Sequence, residues 1–497
     1  MKKLALMLTL GCILSLTAQT EAEKVKETIT KSEIEGHIYF LADDVLRGRE
    51  TGSPEIKIAA SYLANSLRSY GVKPNPQTGT YYQDVKLKRV SPPKNSSIEI
   101  NKQAITDYVF INSAAMNSNQ DAIFLNHGLA DDYKGKDVKG KVIIIKAGGP
   151  ETSEGRATFG LRRTKEKLAK EHEVAAIIEL LKIEDGTWNS INHNFNGPTI
   201  SIASGDNPKS EGKETVYVWV LDKDGKMSEQ LSASKKISIK IAIGANHEVA
   251  VDCQNVIGIV EGTDPELKNE YIIYSAHYDH VGIGAPDATG DTIYNGARDN
   301  AVGTTTVLSM AKNLAKYPTK RSSLFILFTG EERGLLGSSY YVENPAVPLN
   351  QMVYCFNSDN AGYNDTSVIS VIGLTRTTAE NNIFSAAEAF GLKAIEDPAK
   401  EQGLFDRSDN VNFAKKGIPA PTFSLGFTAF DGDVTKYYHQ PGDEAHTLDY
   451  DYLLKFFNAY VLAGRNIGND PKTPVWNQGD KYEEVSKVLY NKKGTNN

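Results

Sequence analysis

Apolar positions recur along the chain with several spacings. From Glu55 to Tyr70, the residues Ile56, Ala59, Ala60, Leu63, Leu67 and Tyr70 share one helical stripe, and Gly71 suits the stop. Just upstream, Leu41–Glu50 is a polar, loop-like stretch. The middle of the chain changes character. Val142–Ile145, Val174–Ile178 and Val216–Val220 are short apolar runs, and Ile237, Ile239, Ile241 and Ile243 alternate with small or polar residues as a half-buried strand does. This predicts a separate β-rich module from Ile105 to Asn246. From Val249 on, the apolar strands Tyr271–Ala276, Leu324–Phe328, Met352–Phe356 and Pro421–Leu425 alternate with helices. In the first helix Val307, Met310, Ala311, Leu314 and Ala315 share a face; in the last, Tyr452–Ala463, so do Leu453, Phe456, Phe457, Tyr460 and Val461. Strand–helix alternation predicts an α/β fold with a mainly parallel central sheet covered by helices on both faces.

Composition narrows the class. With 40% hydrophobic and 24% charged residues, the 497-residue chain can build a core, which excludes a wholly disordered protein. A formal charge of −7 excludes the basic footprint of a nucleic-acid binder. Met1-Lys2-Lys3, an apolar run from Leu4 to Ala18 and a polar start at Gln19 read as a secretory signal peptide over residues 1–18. Cys12 follows Gly11 as in a lipoprotein, but apolar residues continue past it, which favours cleavage near Ala18. No later stretch is long and apolar enough to span a bilayer, so an exported protein, periplasmic or secreted, is expected. The remaining cysteines, Cys253 and Cys355, sit beside strand-like runs and read as small buried residues rather than a disulfide framework.

Chemistry concentrates in five segments: His277-Tyr278-Asp279, Ala297-Arg298-Asp299-Asn300, Gly330-Glu331-Glu332, Asn357-Ser358-Asp359-Asn360 and Tyr437-Tyr438-His439. Most follow the C-terminal end of an expected strand or lead into a helix, and in an open α/β sheet those ends share one ligand-binding edge. Each segment alone is ordinary: Asp–Asn loops are turn chemistry, and paired glutamates suit a helix start. Together they supply what a hydrolytic metal pair needs. Imidazole and carboxylate suit zinc, and a carboxylate can bridge two ions about 3.5–4 Å apart. Asp299 is the candidate bridge, with His277 and Asp359 completing one site and Glu332 and His439 the other. Glu331 is left beside a ligand as the general base, later proton donor to the leaving amine. Asp279 is placed to accept the second imidazole N–H of His277 and fix its orientation.

The segments "SAHYDHVG", "GARDNAVG", "FTGEERGLLGS", "NSDNAG" and "YYHQPGDEAHTL" resemble, in order and spacing, the co-catalytic two-zinc exopeptidases that include bacterial leucyl aminopeptidases, plasma glutamate carboxypeptidase and glutamate carboxypeptidase II. "LADDVLRGRETGS" and "AASYLANSLRSYGVKPNP" resemble the opening of that family. The resemblance implies two Zn2+ per chain, a phosphorylase/hydrolase-like fold, a peptide substrate and the same ligand assignment. It adds Tyr438 as a hydroxyl aimed at the tetrahedral intermediate. Ser408-Asp409-Asn410 resembles a substrate-lining loop, with Asn410 where many members carry His. Arg298 replaces the acidic or polar residue usual before the bridging Asp and is expected to face away from the metals. The middle module, through "DVKGKVIIIKAGG", "VAAIIEL" and "PTISIASGD", resembles a protease-associated domain.

The expected layout is a signal peptide, an N-terminal peptidase part over 19–104, the inserted module over 105–246, the catalytic domain over 247–470 and a tail over 471–497. The leading function is a secreted zinc aminopeptidase. A carboxypeptidase or dipeptidase is the alternative, for which Arg407 and Arg298 are candidates to pair a substrate carboxylate. A single-zinc glutaminyl cyclase relative and a non-catalytic binding protein rank behind, because the ligand set is complete.

Overall fold

The computed structural model describes residues 19–151, 157–203 and 215–491; the signal-peptide segment with Cys12 and the last six residues lie outside the described residues. The chain forms two compact units, one built from residues up to Val85 and from Asp252 onward, the other from Lys86 to Val251.

The first unit is organised on a twisted sheet. Its strands are β1 (His247–Val260, in this unit from Asp252), β2 (Tyr271–His277), β3 (Ser322–Phe328), β4 (Met352–Ser358), β5 (Val368–Ile372), β6 (Lys393–Glu396) and β7 (Thr422–Leu425). They lie in the order β6-β5-β7-β4-β2-β3-β1. The centre is parallel, β2 running with β3 and β4, and β4 with β7. Toward the flanks, β5 pairs antiparallel with β7 and β1 antiparallel with β3. Alternate side chains of the central strands enter two different cores, Ile272, Tyr274 and Ala276 on one face and Ile273 on the other. That double burial explains why these strands read as unbroken apolar runs.

On the first face pack helices α1 (Lys31–Leu41), α2 (Pro54–Ser69), α3 (Gly303–Lys316) and α4 (Tyr450–Asn469), through Ile38, Leu63, Leu67, Met310, Leu314, Phe456, Phe457 and Tyr460. Each such side chain contributes about 1.5–3 kcal/mol by leaving water. The ends are capped as the sequence suggests. Ser53 accepts from the Ile56 N–H with Pro54 in the first turn, and Asp449 accepts from Asp451 and Tyr452. The opposite face is covered by the helices Leu336–Glu343 and Asn410–Lys415, through Tyr341, Val342, Phe413 and Ala414.

The second unit is β-rich, and it begins at Lys86 rather than near Ile105. The extra length is structural: Ser96–Ile100 pairs with Ile237–Ile243, which in turn pairs with Met116–Phe124. Small and charged residues in Ser96–Ile100 leave that strand without an apolar run. Inside this unit Glu179 is fully satisfied, accepting from Lys165 Nζ at 2.6 Å, the Tyr217 hydroxyl at 2.7 Å and Trp219 Nε1 at 2.6 Å. Cys253 and Cys355 are both buried free thiols. Among the described residues no helix is long and apolar enough to cross a membrane.

Candidate metal centre

The parallel strands deliver their loops to one edge. His277 closes β2, Asp359 follows β4, and Glu331 and Glu332 stand in the loop after β3. Asp299 precedes α3 in a distorted turn whose Asp299–Asn300 peptide is cis. His439 comes from a loop ahead of α4 and has a left-handed backbone, φ 52°.

These side chains converge. His277 Nε2 lies 3.3 Å from Asp299 Oδ1 and 3.2 Å from Asp359 Oδ1. His439 Nε2 lies 3.1 Å from Asp299 Oδ2 and 3.1 Å from Glu332 Oε2. Asp299 thus turns one oxygen to each histidine, the arrangement a bridging carboxylate requires. Ligand atoms at about 2.0–2.1 Å from a tetrahedral zinc stand about 3.3–3.4 Å apart, close to these separations. His280, Asp299, Glu332 and His439 place one ligand atom each within 4.8 Å of one another, and so do His277, Asp299 and Asp359. The donor set therefore fits two divalent cations.

The electrostatics agree. Burial opposes a charge on His277, yet Asp359, Glu331 and Asp299 hold its pKa well above the usual range. His439 is pushed up to about 10 against burial by Asp299 and Glu332. Asp299, despite burial, lies well below the usual carboxylate range because His277 and His439 bond to it. Glu331 goes the other way. Withdrawal from water, with Asp359 and Glu332 beside it, raises its carboxyl well above the ordinary value. Four carboxylates, Asp299, Glu331, Glu332 and Asp359, against three imidazoles, His277, His280 and His439, form a cluster that gains from positive charge.

Asp279 differs from expectation. Its carboxylate Oδ1 is 3.9 Å from His277 Nδ1, too far to bond; the ring bonds instead to the Asp279 main-chain carbonyl at 3.1 Å. The carboxylate is occupied elsewhere, accepting from the N–H groups of Glu331 at 3.1 Å and Glu332 at 3.3 Å and from the Thr51 hydroxyl at 2.8 Å. Asp279 therefore orients the histidine through its backbone and the glutamate loop through its side chain. Tyr438 stacks on His439, ring centroids 4.1 Å apart, and its hydroxyl accepts from Arg407 Nη2 at 3.2 Å.

Arg298 is engaged away from the clustered histidines and acids. It pairs with Asp443 at 3.0 Å, bonds Thr447 and covers the Tyr437 ring at 3.8 Å. Asp443 also accepts the main-chain N–H groups of Arg298 and Asp299. Of the loop 408–410, Ser408 lines the pocket, while Asn410 is spent on the carbonyls of Phe405 and Ala420. The pocket, of about 350 Å3, joins the six clustered acids and histidines to an apolar wall of Ile372, Leu404, Phe427 and Phe430, with Arg407 also on its lining.

Several contributors escaped the sequence reading. His280 is buried and donates from Nδ1 to Glu332 Oε1 at 2.8 Å; its signal was the second imidazole in "HYDH". Asn300 and Asn360 clasp two ligand loops, bonded to each other at 3.0 Å, with Asn300 donating to Ser358 O at 2.9 Å. The repeated Asp–Asn pair was their signal. Arg49, buried, donates to the carbonyls of Leu41, Tyr278, Asn295 and Gly296, so the polar stretch after α1 laces together the loops that carry His277 and Asp299.

The chain is similar to known proteins. Aminopeptidase YwaD of Bacillus subtilis (strain 168) is 28% identical over 263 residues, 52% of this chain and 52% of that protein, so the chain spans about half the length of this curated relative. Among solved structures, an aminopeptidase from Aneurinibacillus sp. strain AM-1 superposes with a TM-score of 0.61 at 19% identity, covering 91% of this chain and 97% of the other. BSAP, a zinc aminopeptidase from Bacillus subtilis, does so with a TM-score of 0.50 at 20% identity, covering 92% and 97%. The model of peptidase family M28 matches residues 255–463, a stretch that holds all five proposed metal ligands and Glu331.

Proposed function

We propose that the protein is an exported aminopeptidase that removes N-terminal residues from peptides, with two zinc ions held as His277–Asp299–Asp359 and Asp299–Glu332–His439. The observation that carries this reading is the division of the Asp299 oxygens between His277 and His439 in a pocket also lined by Glu331. Bound zinc would supply Lewis acidity and make the attacking water more acidic. The chain's own groups do the rest. Glu331, its main-chain N–H anchored on Asp279, takes the proton of the attacking water and returns it to the leaving amine. The Tyr438 oxygen already accepts from Arg407, which can only donate, so its own hydrogen is free for the developing oxyanion. Burial raises the Tyr438 pKa, which keeps that hydrogen in place at neutral pH. The apolar wall around Ile372, Leu404 and Phe427 is suited to an uncharged side chain.

Glu331→Gln is expected to lower kcat by about 100- to 10,000-fold while zinc content stays at the native level. Full activity in the folded, zinc-loaded variant would remove Glu331 from the mechanism.

A second reading, cleavage next to a free C-terminus, draws on Arg407. Arg298 is consumed by Asp443 and Thr447, whereas Arg407 lines the pocket and bonds only a tyrosine hydroxyl among the described side chains. Cleavage of amino-blocked, free-carboxyl peptides, lost in Arg407→Ala, would favour it.

A further inference from the structure

We infer that His280 is a positioning residue that makes Glu332 bind its metal through one oxygen only, an inference that rests on the two-metal reading above. The Glu332 carboxylate is divided. Oε1 receives a hydrogen bond from His280 Nδ1 at 2.8 Å, and Oε2 faces His439 Nε2 at 3.1 Å. A carboxylate can only accept, so Nδ1 is the donor and Oε1 is turned from the metal side by that bond. With Oε1 held, Oε2 is the oxygen left for a shared site with Asp299 and His439.

The histidine is itself locked in place. It is 0% exposed, and its main-chain N–H donates to Arg49 O at 3.2 Å. Gly296, in the left-handed region at φ 61°, leaves room for the ring, since a Cβ there would stand 2.6 Å from His280 Cδ2. A side chain at 296 would collide with both the Asp299 main-chain carbonyl and the imidazole. Arg49 also donates to the Gly296 carbonyl at 3.0 Å, so its guanidinium seats the glycine while its main-chain carbonyl seats the histidine.

The consequence is chemical. A carboxylate free to swing can use both oxygens on one cation and fill the position that a catalytic site keeps open for water or substrate. Holding Oε1 keeps that position vacant and orients the remaining lone pair, the kind of outer support whose loss costs about 10- to 100-fold in metal affinity.

The test compares His280→Ala with His280→Asn in the full chain, because Asn Nδ2 sits as far from Cβ as His Nδ1 and can still donate to Oε1. Zinc affinities are measured by competition with a chromophoric chelator, together with the visible absorption of the cobalt-loaded protein and the Tm of metal-free protein. His280→Ala is expected to weaken one zinc site by about 10- to 100-fold and to lower the cobalt absorption as the coordination number rises; His280→Asn is expected to retain both. Loss of zinc in a folded His280→Asn equal to that in His280→Ala would make His280 a ligand and overturn the proposal. Native affinity and spectrum in His280→Ala, with only Tm changed, would make it a core residue and overturn it too. Should His280→Ala fail to fold, the requirement that His280→Asn keep its zinc still decides. Absence of zinc binding by the native protein is seen before any variant and contradicts the two-metal reading itself, and this inference with it.

Discussion

At the scale of single residues, the acidic groups divide by environment. Asp299 and Glu332, which bond to histidines, are held low, whereas Glu331, withdrawn from water beside Asp359 and Glu332, is pushed up. Glu444 belongs to the second kind. Burial, and then the carboxylates of Asp44 and Asp291, raise it from 4.5 to about 7. The folded state therefore holds this proton more tightly than the unfolded chain. Its contribution to stability is full below about pH 4.5 and is lost as pH rises through about 7. Glu444→Gln should melt with the native protein near pH 5 and above it near pH 8, giving a flatter profile of Tm against pH. Parallel profiles for the two proteins would show that Glu444 does not titrate in this window. His280 and Asp279 show what a sequence hides at this scale. Which atom of a residue makes a bond depends on loop geometry, so the expected side-chain contact of Asp279 with His277 became a main-chain one.

At the scale of elements, the apolar strands were legible because burial on two faces leaves no alternation to misread, and β2, β3 and β4 begin and end within two residues of their apolar runs. β5 was not read. It is five residues long and all buried, but Ser370 interrupts its apolar run. The four-residue edge strand β6 carries Lys393 and Glu396 and has even less signal. The ligand-bearing segments were legible because each follows or precedes such an element. Their mutual clasps were not, since Asn300 and Asn360 meet across sixty positions. The clasp makes a prediction. Asn360 Oδ1 accepts from the Leu425 N–H at 2.9 Å, and its Nδ2 donates to Asn300. Asn360→Ala leaves a buried N–H without an acceptor and loosens the Asp359 loop against Asp299. It should cost about 1–3 kcal/mol in urea unfolding and weaken zinc binding. Unchanged zinc affinity would mean that the strand ends alone hold the two ligand loops.

At the scale of the molecule, the fold gathers residues from positions 277 to 439 at the end of the parallel centre of one sheet, and the segment from Arg49 to Thr51 reaches the same place from the other end of the chain. Placing most of the functional groups on loops at the ends of rigid strands lets a cluster of like charges survive beside an apolar core. The second unit supplies its own ordered core around the Lys165–Glu179 pair and presents no comparable group of metal-ligating side chains among the described residues.

The account turns on two cations shared through Asp299 and used on free-amino peptides. The most direct measurement is a zinc titration of chelated, purified protein, with bound metal and hydrolysis of free-amino and amino-blocked peptides followed at each point. The account predicts saturation at two zinc ions per chain, cleavage of free-amino peptides only, and loss of both the second ion and activity in Asp299→Asn. Saturation at one ion with full activity, or equal cleavage of the blocked peptides, would contradict it.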